Sequence, residues 1–311
     1  MYKSYSNFVF PLLVNLIGLT IIILAIPSCQ EKDNRSKFNE NNILDLLASN
    51  EEIVITEDIS LSQYFYFIDS LLLLVNEVNP DEINEYVLVH ANPWIIDSLV
   101  ATDYYILKDK GVVVRDLLEL TIFHKGQVIR IPNQNEINRI KTKLKHINLD
   151  LNIPEYQLRV FEGDQILYKL PVRVGRNERK FLAMAEHVVD LKTKTGEGEI
   201  VSIVKNASFI NPVNNEAYHL TRRDDNIITT LPNIPWLEPE LNGIKHGQLI
   251  HPTTNLKTLG KSYSNGCVGL RESDSWILYY HAPLGTKVNF RYDLNLPDQP
   301  KLKDIYDKDN K

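Results

Sequence analysis

The residues of this chain best suited to covalent chemistry are a cysteine and a histidine, Cys267 and His251. A thiol is a weak nucleophile at neutral pH because its pKa is about 8.5, and a neighbouring imidazole that accepts its proton leaves a reactive thiolate. Gly266 precedes the cysteine and permits a tight turn, since glycine enters backbone conformations that other residues avoid. Backbone N–H groups in such a turn can donate to an oxyanion. The group predicts a cysteine nucleophile, assisted by a histidine base, that attacks a carbonyl.

Other interpretations of these residues stay open at this point. Cys267 can be a buried small apolar residue without chemistry, and His251 can be a histidine satisfied within a strand. His246 is a second candidate base, but its odd spacing from His251 on one regular strand would place the two on opposite faces. A zinc site built from His246, His251 and Cys267 lacks the short ligand spacings typical of such sites. We therefore expect no metal and no cofactor.

The half of the chain that contains these residues has the pattern of a β-rich fold. Two alternating runs, 156–161 and 165–174, flank a Gly-Asp turn and predict a β-hairpin. Further strand-like runs are 188–191, 199–204, 247–251 and 286–291. One clear helix is predicted from Asp274 to about His281, capped by Ser273 or Asp274 and stopped by Pro283.

The preceding segment, 42–148, predicts a smaller mixed α/β domain. Helices are expected around 68–75, 93–101 and 136–146, and strands at 86–90, 119–123 and 126–131, the last two joined by a turn. The sequence KGQVIRIP that ends this turn-and-strand unit resembles the close of a LysM peptidoglycan-binding module. The fold class predicted for the whole chain is therefore α+β.

The stretch HPTTNLKTLGKSYSNGCVGLRESD, residues 251–274, resembles the L,D-transpeptidase catalytic domain, also called the YkuD domain. In both, a histidine is followed at about this distance, here sixteen positions, by the cysteine of a Ser-x-Gly-Cys turn. Supporting segments are LPVRVGR at 170–176, KTGEGEI at 194–200 and LGTKVNF at 284–290, so the resemblance spans about 152–292. It implies that His251 is the general base and Cys267 the nucleophile, with Ser264 and Gly266 framing the oxyanion turn.

The sequence departs from the family pattern near the nucleophile. Asn265 stands where the family often has histidine, and Gly269 stands where it usually has arginine or asparagine. We expect Asn265 to contact substrate, and Arg271 to take over the missing charge and bind a substrate carboxylate. The alternative for Arg271 is a surface ion pair with a neighbouring acidic side chain.

The resemblance implies acyl transfer on the tetrapeptide stems of peptidoglycan, the expected partner. An amine acceptor would make the protein an L,D-transpeptidase, and water as acceptor would make it an L,D-carboxypeptidase. The hypothesis from another class is a non-catalytic, lipid-anchored peptidoglycan-binding protein with an idle thiol. The three hypotheses share peptidoglycan as partner. The two enzymes acylate Cys267 and differ only in the acceptor, whereas the binder leaves the thiol unused.

The first residues have the pattern of an export signal. An apolar run from Phe8 to Ile26 follows Lys3 and precedes Cys29, as in the lipobox of bacterial lipoproteins. We predict that 1–29 is a signal with Cys29 lipidated, 30–41 a tether, 42–148 the N-terminal domain, 149–292 the catalytic domain and 293–311 a polar tail. The alternative is an uncleaved membrane helix, since about 20 apolar residues span a bilayer. Either predicts a membrane-anchored, periplasm-facing protein of the cell envelope.

The charge of the chain excludes one class of partner. Its formal net charge is -6 and no long basic run is present. Nucleic-acid binding depends on clustered Lys and Arg that neutralise phosphates. We therefore expect no nucleic-acid partner.

Overall fold

The computed structural model describes residues 52–78, 83–205, 207–211 and 213–294. The predicted signal 1–29 with Cys29, the tether 30–41 and nearly all of the tail lie outside the described residues. All described residues belong to one compact unit, Glu40–Lys311. Within that described part of the chain, no helix is both long and apolar enough to span a bilayer.

The described elements alternate between helices and strands first and are mostly strands afterwards. The α-helices are α1 (Tyr64–Val78), α2 (Glu85–Ala91), α3 (Trp94–Val100), α4 (Tyr104–Asp109), α5 (Gln134–Lys145) and α6 (Glu272–His281). The 3-10 helices are Leu61–Gln63, Leu117–Glu119, Ile153–Glu155 and Leu256–Thr258. The strands are β1 (Glu52–Val54), β2 (Ile59–Ser60), β3 (Thr121–Phe123), β4 (Val128–Arg130), β5 (Ile147–Asn152), β6 (Gln157–Glu162), β7 (Gln165–Pro171), β8 (Val174–Gly175), β9 (Arg179–Leu182), β10 (His187–Asp190), β11 (Gly196–Val204), β12 (Ile210–Asn211), β13 (Glu216–Ala217), β14 (Leu220–Arg222), β15 (Ile228–Thr230), β16 (Trp236–Leu241), β17 (Ile244–Lys245), β18 (Ile250–Pro252), β19 (Ser262–Ser264), β20 (Val268–Leu270) and β21 (Lys287–Arg291).

A nine-stranded sheet forms the centre of the molecule, in the order β20-β18-β16-β11-β21-β5-β6-β7, with β17 paired to β16. Most neighbours are antiparallel, but β18 runs parallel to β20 and β21 runs parallel to β5. The predicted hairpin of β6 and β7 is confirmed. Its turn uses Gly163 at φ +58, a left-handed conformation that glycine adopts without the penalty of a side chain.

The core lies on one face of this sheet. Alternate side chains of each strand are buried, as the two-residue period of a strand requires, and α6 packs against them through Leu278 and Ala282. Each fully buried Leu, Ile or Phe contributes about 1.5–3 kcal/mol relative to an exposed one. The β-rich α+β class predicted from the sequence is therefore confirmed.

Helix α6 is buried on nearly all sides because the N-terminal region packs on its other face. Trp276 has no exposed surface and contacts Tyr64 and Phe65 of the N-terminal region, with ring centroids 6.1 and 6.0 Å away. Glu85 of α2 accepts hydrogen bonds from the hydroxyls of Tyr279 and Tyr280. A helix covered on every side shows no amphipathic stripe, so its sequence does not reveal which face meets the sheet.

The start of α6 differs from the prediction. The helix begins at Glu272, and neither Ser273 nor Asp274 caps it. Instead, the N–H of Ser273 donates to Asp103 Oδ2 at 2.9 Å, while the N–H of Tyr104 donates to Glu272 Oε2 at 3.0 Å. The first turns of α4 and α6 therefore cap each other, which satisfies N–H groups that helix ends leave free.

One other prediction for the N-terminal region is wrong. Residues 86–90, predicted as a strand, belong to helix α2, which Asn84 caps by accepting from the N–H of Val87 at 2.9 Å. The cap and the tertiary packing outweigh the β-branched pattern. Strands β3 and β4 exist, but they pair with β2 and β1 rather than with each other. The division at 148/149 stays a prediction.

Candidate active site

Cys267 lies at the end of a tight turn between β19 and β20. Ser264 Oγ donates to the carbonyl of Cys267 at 2.6 Å and accepts from the N–H of Gly266 at 3.2 Å. Gly266 has φ +119, and a Cβ at this position would lie 2.6 Å from Gln248 Nε2. The turn therefore requires glycine for two reasons, backbone conformation and lack of space.

The same hydrogen bonds correct the expected oxyanion donors. The N–H of Gly266 is occupied by Ser264, and the carbonyl of Gly266 accepts from Thr193 Oγ1 at 2.8 Å. The hydroxyl of Ser264 donates its proton to the carbonyl of Cys267, so it is not free to donate to an oxyanion. Within the described residues, the N–H of Cys267 has no acceptor, so it is a backbone donor of the turn that is available to an oxyanion.

His251 lies on β18, the strand that pairs with β20 directly after Cys267. The parallel register pairs Ile250 with Val268 and His251 with Gly269. Ile250 and Val268 are both buried in the core. Because side chains alternate along strands, His251 and Cys267 project together from the opposite face. The tertiary structure thus brings together the two residues that the sequence singled out.

The hydrogen bonds of His251 identify its free nitrogen. Nδ1 lies 2.8 Å from the carbonyl oxygen of Pro252. A carbonyl only accepts, so Nδ1 carries the proton and Nε2 keeps a lone pair. Burial, together with the nearby charge of Arg173, lowers the pKa of His251 to about 4. The imidazole is therefore neutral at pH 7 and able to accept a proton at Nε2.

The thiol is also neutral at rest. Burial raises the pKa of Cys267, although the N–H of Leu249, 3.4 Å from Sγ, and the charge of Arg173 both act to lower it. A raised thiol pKa and a lowered imidazole pKa both favour the uncharged pair over a thiolate–imidazolium ion pair.

Arg173 is a site residue that the sequence analysis did not single out. It follows β7 and makes two backbone hydrogen bonds with Gly269, its N–H donating at 2.9 Å and its carbonyl accepting at 3.0 Å. Its side chain covers that glycine, because a Cβ on Gly269 would lie 2.5 Å from Arg173 Nε. Gly269 was the sequence feature that could have pointed to Arg173, because its missing side chain leaves room for a cation from a distant segment of the chain.

The two residues predicted to bind substrate lie in other surroundings. Arg271 is exposed at the start of α6, and its charge acts to lower the pKa of Asp274, which burial raises. Asn265 Oδ1 accepts from Arg176 Nη2 at 2.7 Å. Neither arrangement includes the Cys267 thiol, and the substrate roles of both residues stay predictions.

His246 is separate from this group. It is exposed between β17 and β18, next to Gly247 at φ +66, so it does not share a strand with His251. No cluster of three or more potential metal ligands occurs in the part of the chain that the structure describes.

Aromatic side chains form one wall of the site. The ring of Trp236 lies 5.4 Å from that of His251, and Phe209 packs on Trp236 at 4.9 Å. Tyr218 follows at 6.0 Å from Phe209. The position of Trp236 on β16, beside β18, places its ring against the imidazole of His251. This wall restricts the orientation of His251.

The hairpin of β14 and β15 is held by the N-terminal region. Tyr105 OH donates to Asp224 at 2.6 Å and to the carbonyl of Thr254 at 2.8 Å, just after the His251 strand. Arg223, fully buried, lies 2.7 Å from Glu272, whose pKa burial raises to about 7. Residues of α4 therefore connect the hairpin and the segment after His251 to the rest of the molecule.

Comparison with known protein families finds one family model that matches part of the chain. Residues 147–290 match the family model YkuD, described as the L,D-transpeptidase catalytic domain. That segment contains Arg173, His251 and Cys267. This part of the chain is a β-rich L,D-transpeptidase-like domain, and a smaller region of mixed helices and strands precedes it. A search of curated proteins found no match.

Solved structures similar to this chain are L,D-transpeptidases at low identity. One from Mycobacterium smegmatis is 13% identical with a TM-score of 0.33, covering 47% of this chain and 58% of that one. Residues 123–326 of one from Xylanimonas cellulosilytica are 12% identical with a TM-score of 0.35, covering 67% and 94%. One from Mycobacterium tuberculosis is 16% identical with a TM-score of 0.30, covering 47% and 57%. The chain thus spans less than two thirds of the M. smegmatis protein.

Proposed function

We propose that this protein is a cysteine acyltransferase that acts on peptidoglycan tetrapeptide stems as an L,D-transpeptidase. The observation that carries the proposal is that the parallel register of β18 and β20 places His251 beside the turn that holds Cys267, the residue directly before β20. The family match over 147–290 supports the choice of peptidoglycan as substrate.

In the first half-reaction, the Cys267 sulfur attacks the carbonyl between the third and fourth stem residues. The S–C bond forms as the thiol proton passes to Nε2 of His251. The N–H of Cys267 donates to the resulting oxyanion. When the tetrahedral intermediate collapses, the C–N bond breaks and His251 returns the proton to the departing D-alanine amine. A thioester remains on Cys267.

In the second half-reaction, an acceptor amine attacks the thioester carbonyl and gives its proton to His251. The C–S bond breaks, and the sulfur recovers the proton as a thiol. Every proton taken by His251 is therefore returned within the same half-reaction. Water in place of the amine gives a trimmed stem by the same steps, so acceptor access alone separates the two products.

The test is mass spectrometry of a purified disaccharide-tetrapeptide after incubation with the chain from Gln30 onward. We expect loss of D-alanine together with a cross-linked dimer, and we expect Cys267→Ala to abolish both. Loss of D-alanine without dimer would identify a carboxypeptidase instead. An unchanged substrate beside an active control enzyme would contradict acyl transfer on this stem.

Carbapenem labelling separates the enzyme from the non-catalytic binder. A carbapenem acylates an activated cysteine, so we expect one adduct per chain on Cys267 and none on Cys267→Ala. Because His251 supplies the base, His251→Ala should react far more slowly at neutral pH. The binder hypothesis predicts no adduct on any of the three proteins, with stem binding retained.

We also propose that the chain is a lipoprotein of the cell envelope, anchored through Cys29. The sequence pattern supports this, because an apolar run ends in a small residue followed by cysteine. The enzyme would then face the periplasm, where its peptidoglycan substrate lies. An uncleaved membrane helix would give the same orientation without a lipid.

A further inference from the structure

Arg173 brings an unpaired positive charge to the catalytic pair. Among the described residues, no carboxylate forms an ion pair with its guanidinium, and its Nε is buried without a hydrogen-bond partner. Its polar contact is Nη1 at 3.5 Å from Thr258 Oγ1, the limit of a hydrogen bond. By contrast, Arg159 and Arg291 of the same sheet region both pair with Asp150.

Keeping the guanidinium of Arg173 without an anionic partner costs free energy, and the fold does not need this charge. Removing a cation from water is unfavourable unless a partner and hydrogen bonds compensate it. The fold uses the backbone of Arg173, which bonds Gly269, and the aliphatic part of its side chain, which covers that glycine. A methionine could fill the same space without charge. The unpaired guanidinium therefore indicates that its anionic partner is part of a ligand that binds at this site.

The groups around the guanidinium show what kind of partner fits. Its charge acts on Cys267, Tyr218, Tyr263 and His251. Cys267, His251 and Tyr218 are neutral at rest near pH 7, and Tyr263 and Thr258 add hydroxyls. An arginine amid neutral polar and aromatic groups, with its donors unused, matches a planar carboxylate that accepts two parallel hydrogen bonds.

We propose that Arg173 binds the free carboxylate of the leaving residue of the acyl donor, and so restricts the enzyme to C-terminal peptide bonds. The assignment of the donor rests on the proposed function. In a tetrapeptide stem, the carboxylate of the terminal D-alanine is separated from the scissile carbonyl carbon by only the nitrogen and Cα. It is therefore the carboxylate nearest the carbon that Cys267 attacks. A stem extended or amidated at this end lacks that charge.

The first test needs no peptidoglycan. Iodoacetate and iodoacetamide alkylate the same thiolate by the same displacement of iodide, but only iodoacetate carries a carboxylate beside the reacting carbon. The ratio of their rates at one pH therefore cancels the thiol pKa. We expect Arg173→Gln to lower the iodoacetate-to-iodoacetamide ratio about tenfold, the scale of a lost charge-assisted hydrogen bond. Arg173→Lys should keep part of it.

Two other arginine variants serve as controls in the same assay. Arg139→Gln removes the same charge from the exposed face of α5 and should leave the ratio unchanged, because salt screens exposed charges that lie far away. Arg271→Gln tests the rival assignment made from the sequence. A ratio that falls in Arg271→Gln and not in Arg173→Gln would overturn the proposal, as would an unchanged ratio in Arg173→Gln with only the pH profile of alkylation shifted.

The second test uses the donor itself, as tetrapeptide stems with a free or an amidated C-terminus. The wild-type protein should have a higher kcat/KM for the free acid than for the amide. In Arg173→Gln, kcat/KM for the free acid should fall, while kcat/KM for the amide should stay unchanged. If the ratio of kcat/KM for the two stems were the same in the wild type and in Arg173→Gln, recognition of the carboxylate by Arg173 would be refuted. If neither stem reacts but the alkylation ratio still depends on Arg173, the anion site stands and the proposed peptidoglycan function fails.

Discussion

Substitution of Gly266 by alanine tests the geometry of the nucleophile turn most directly. Two separate penalties are expected. At φ +119 an alanine is strained by about 1–3 kcal/mol, the cost of sparsely populated backbone regions. The new Cβ would also lie 2.6 Å from Gln248 Nε2, and inserting a methyl group into such packing costs about 1–3 kcal/mol. The sum is roughly 2–6 kcal/mol of unfolding free energy.

The chain offers a control for each penalty. Gly163 has φ +58, and no atom lies within 4 Å of the position that a Cβ would take. The loss of unfolding free energy in Gly163→Ala therefore reports backbone strain alone, about 1–2 kcal/mol. Removing the obstacle with Gln248→Ala in the Gly266→Ala background should recover the steric part. Gln248→Ala by itself loses the bonds to Lys192 and Lys194, about 0.5–1.5 kcal/mol each. A double-mutant cycle separates these contributions.

The assays are urea unfolding, for the free energy, and the rate of carbapenem acylation of Cys267, for the site. We expect Gly266→Ala to slow acylation by about 100-fold, because displacing a reactive atom by about 1 Å has that effect. The double variant should regain part of both quantities. A Gly266→Ala protein no less stable than Gly163→Ala, with normal acylation, would refute the turn geometry described here.

Three further predictions follow from the ionic and covalent features of the chain. His251→Ala should reduce acylation at pH 7 by about 10²–10⁴-fold and recover as pH rises through the thiol pKa. In the wild type, the pKa of His251 is lowered to about 4. The acylation rate should therefore stay constant from pH 7 down to about 5 and fall only as His251 becomes protonated near pH 4. A pH–rate profile that already falls near pH 6.5 would contradict this. Glu272→Ala leaves the fully buried Arg223 unpaired and should cost about 3–5 kcal/mol in urea unfolding, with stability largely restored by adding Arg223→Met; a loss below about 1 kcal/mol would show that the pair is not desolvated. Cys29→Ser should abolish incorporation of a labelled fatty acid and release the protein from membranes, whereas membrane retention without label would indicate an uncleaved helix.

Local patterns in the sequence were sufficient for several elements. The hairpin of β6 and β7, helix α5 with Asn133 accepting from the N–H of Glu136, and helix α3 were predicted close to their positions. Each depends on contacts between residues near in sequence, such as a turn or a cap. Where the pattern was ambiguous, as at 86–90, long-range packing decided the outcome.

The sequence by itself singled out Cys267 and His251 as candidate nucleophile and base, because a histidine, a Ser-x-Gly turn and a cysteine at this spacing are chemically specific. Tertiary structure alone decided what surrounds them. The charge of Arg173 acts on the thiol of Cys267 because the Arg173 segment pairs with Gly269, nearly one hundred positions away in the chain. The capping of α6 by Asp103 likewise joins distant segments. Such contacts depend on how strands and helices pack, and no local period in the chain encodes which segments meet.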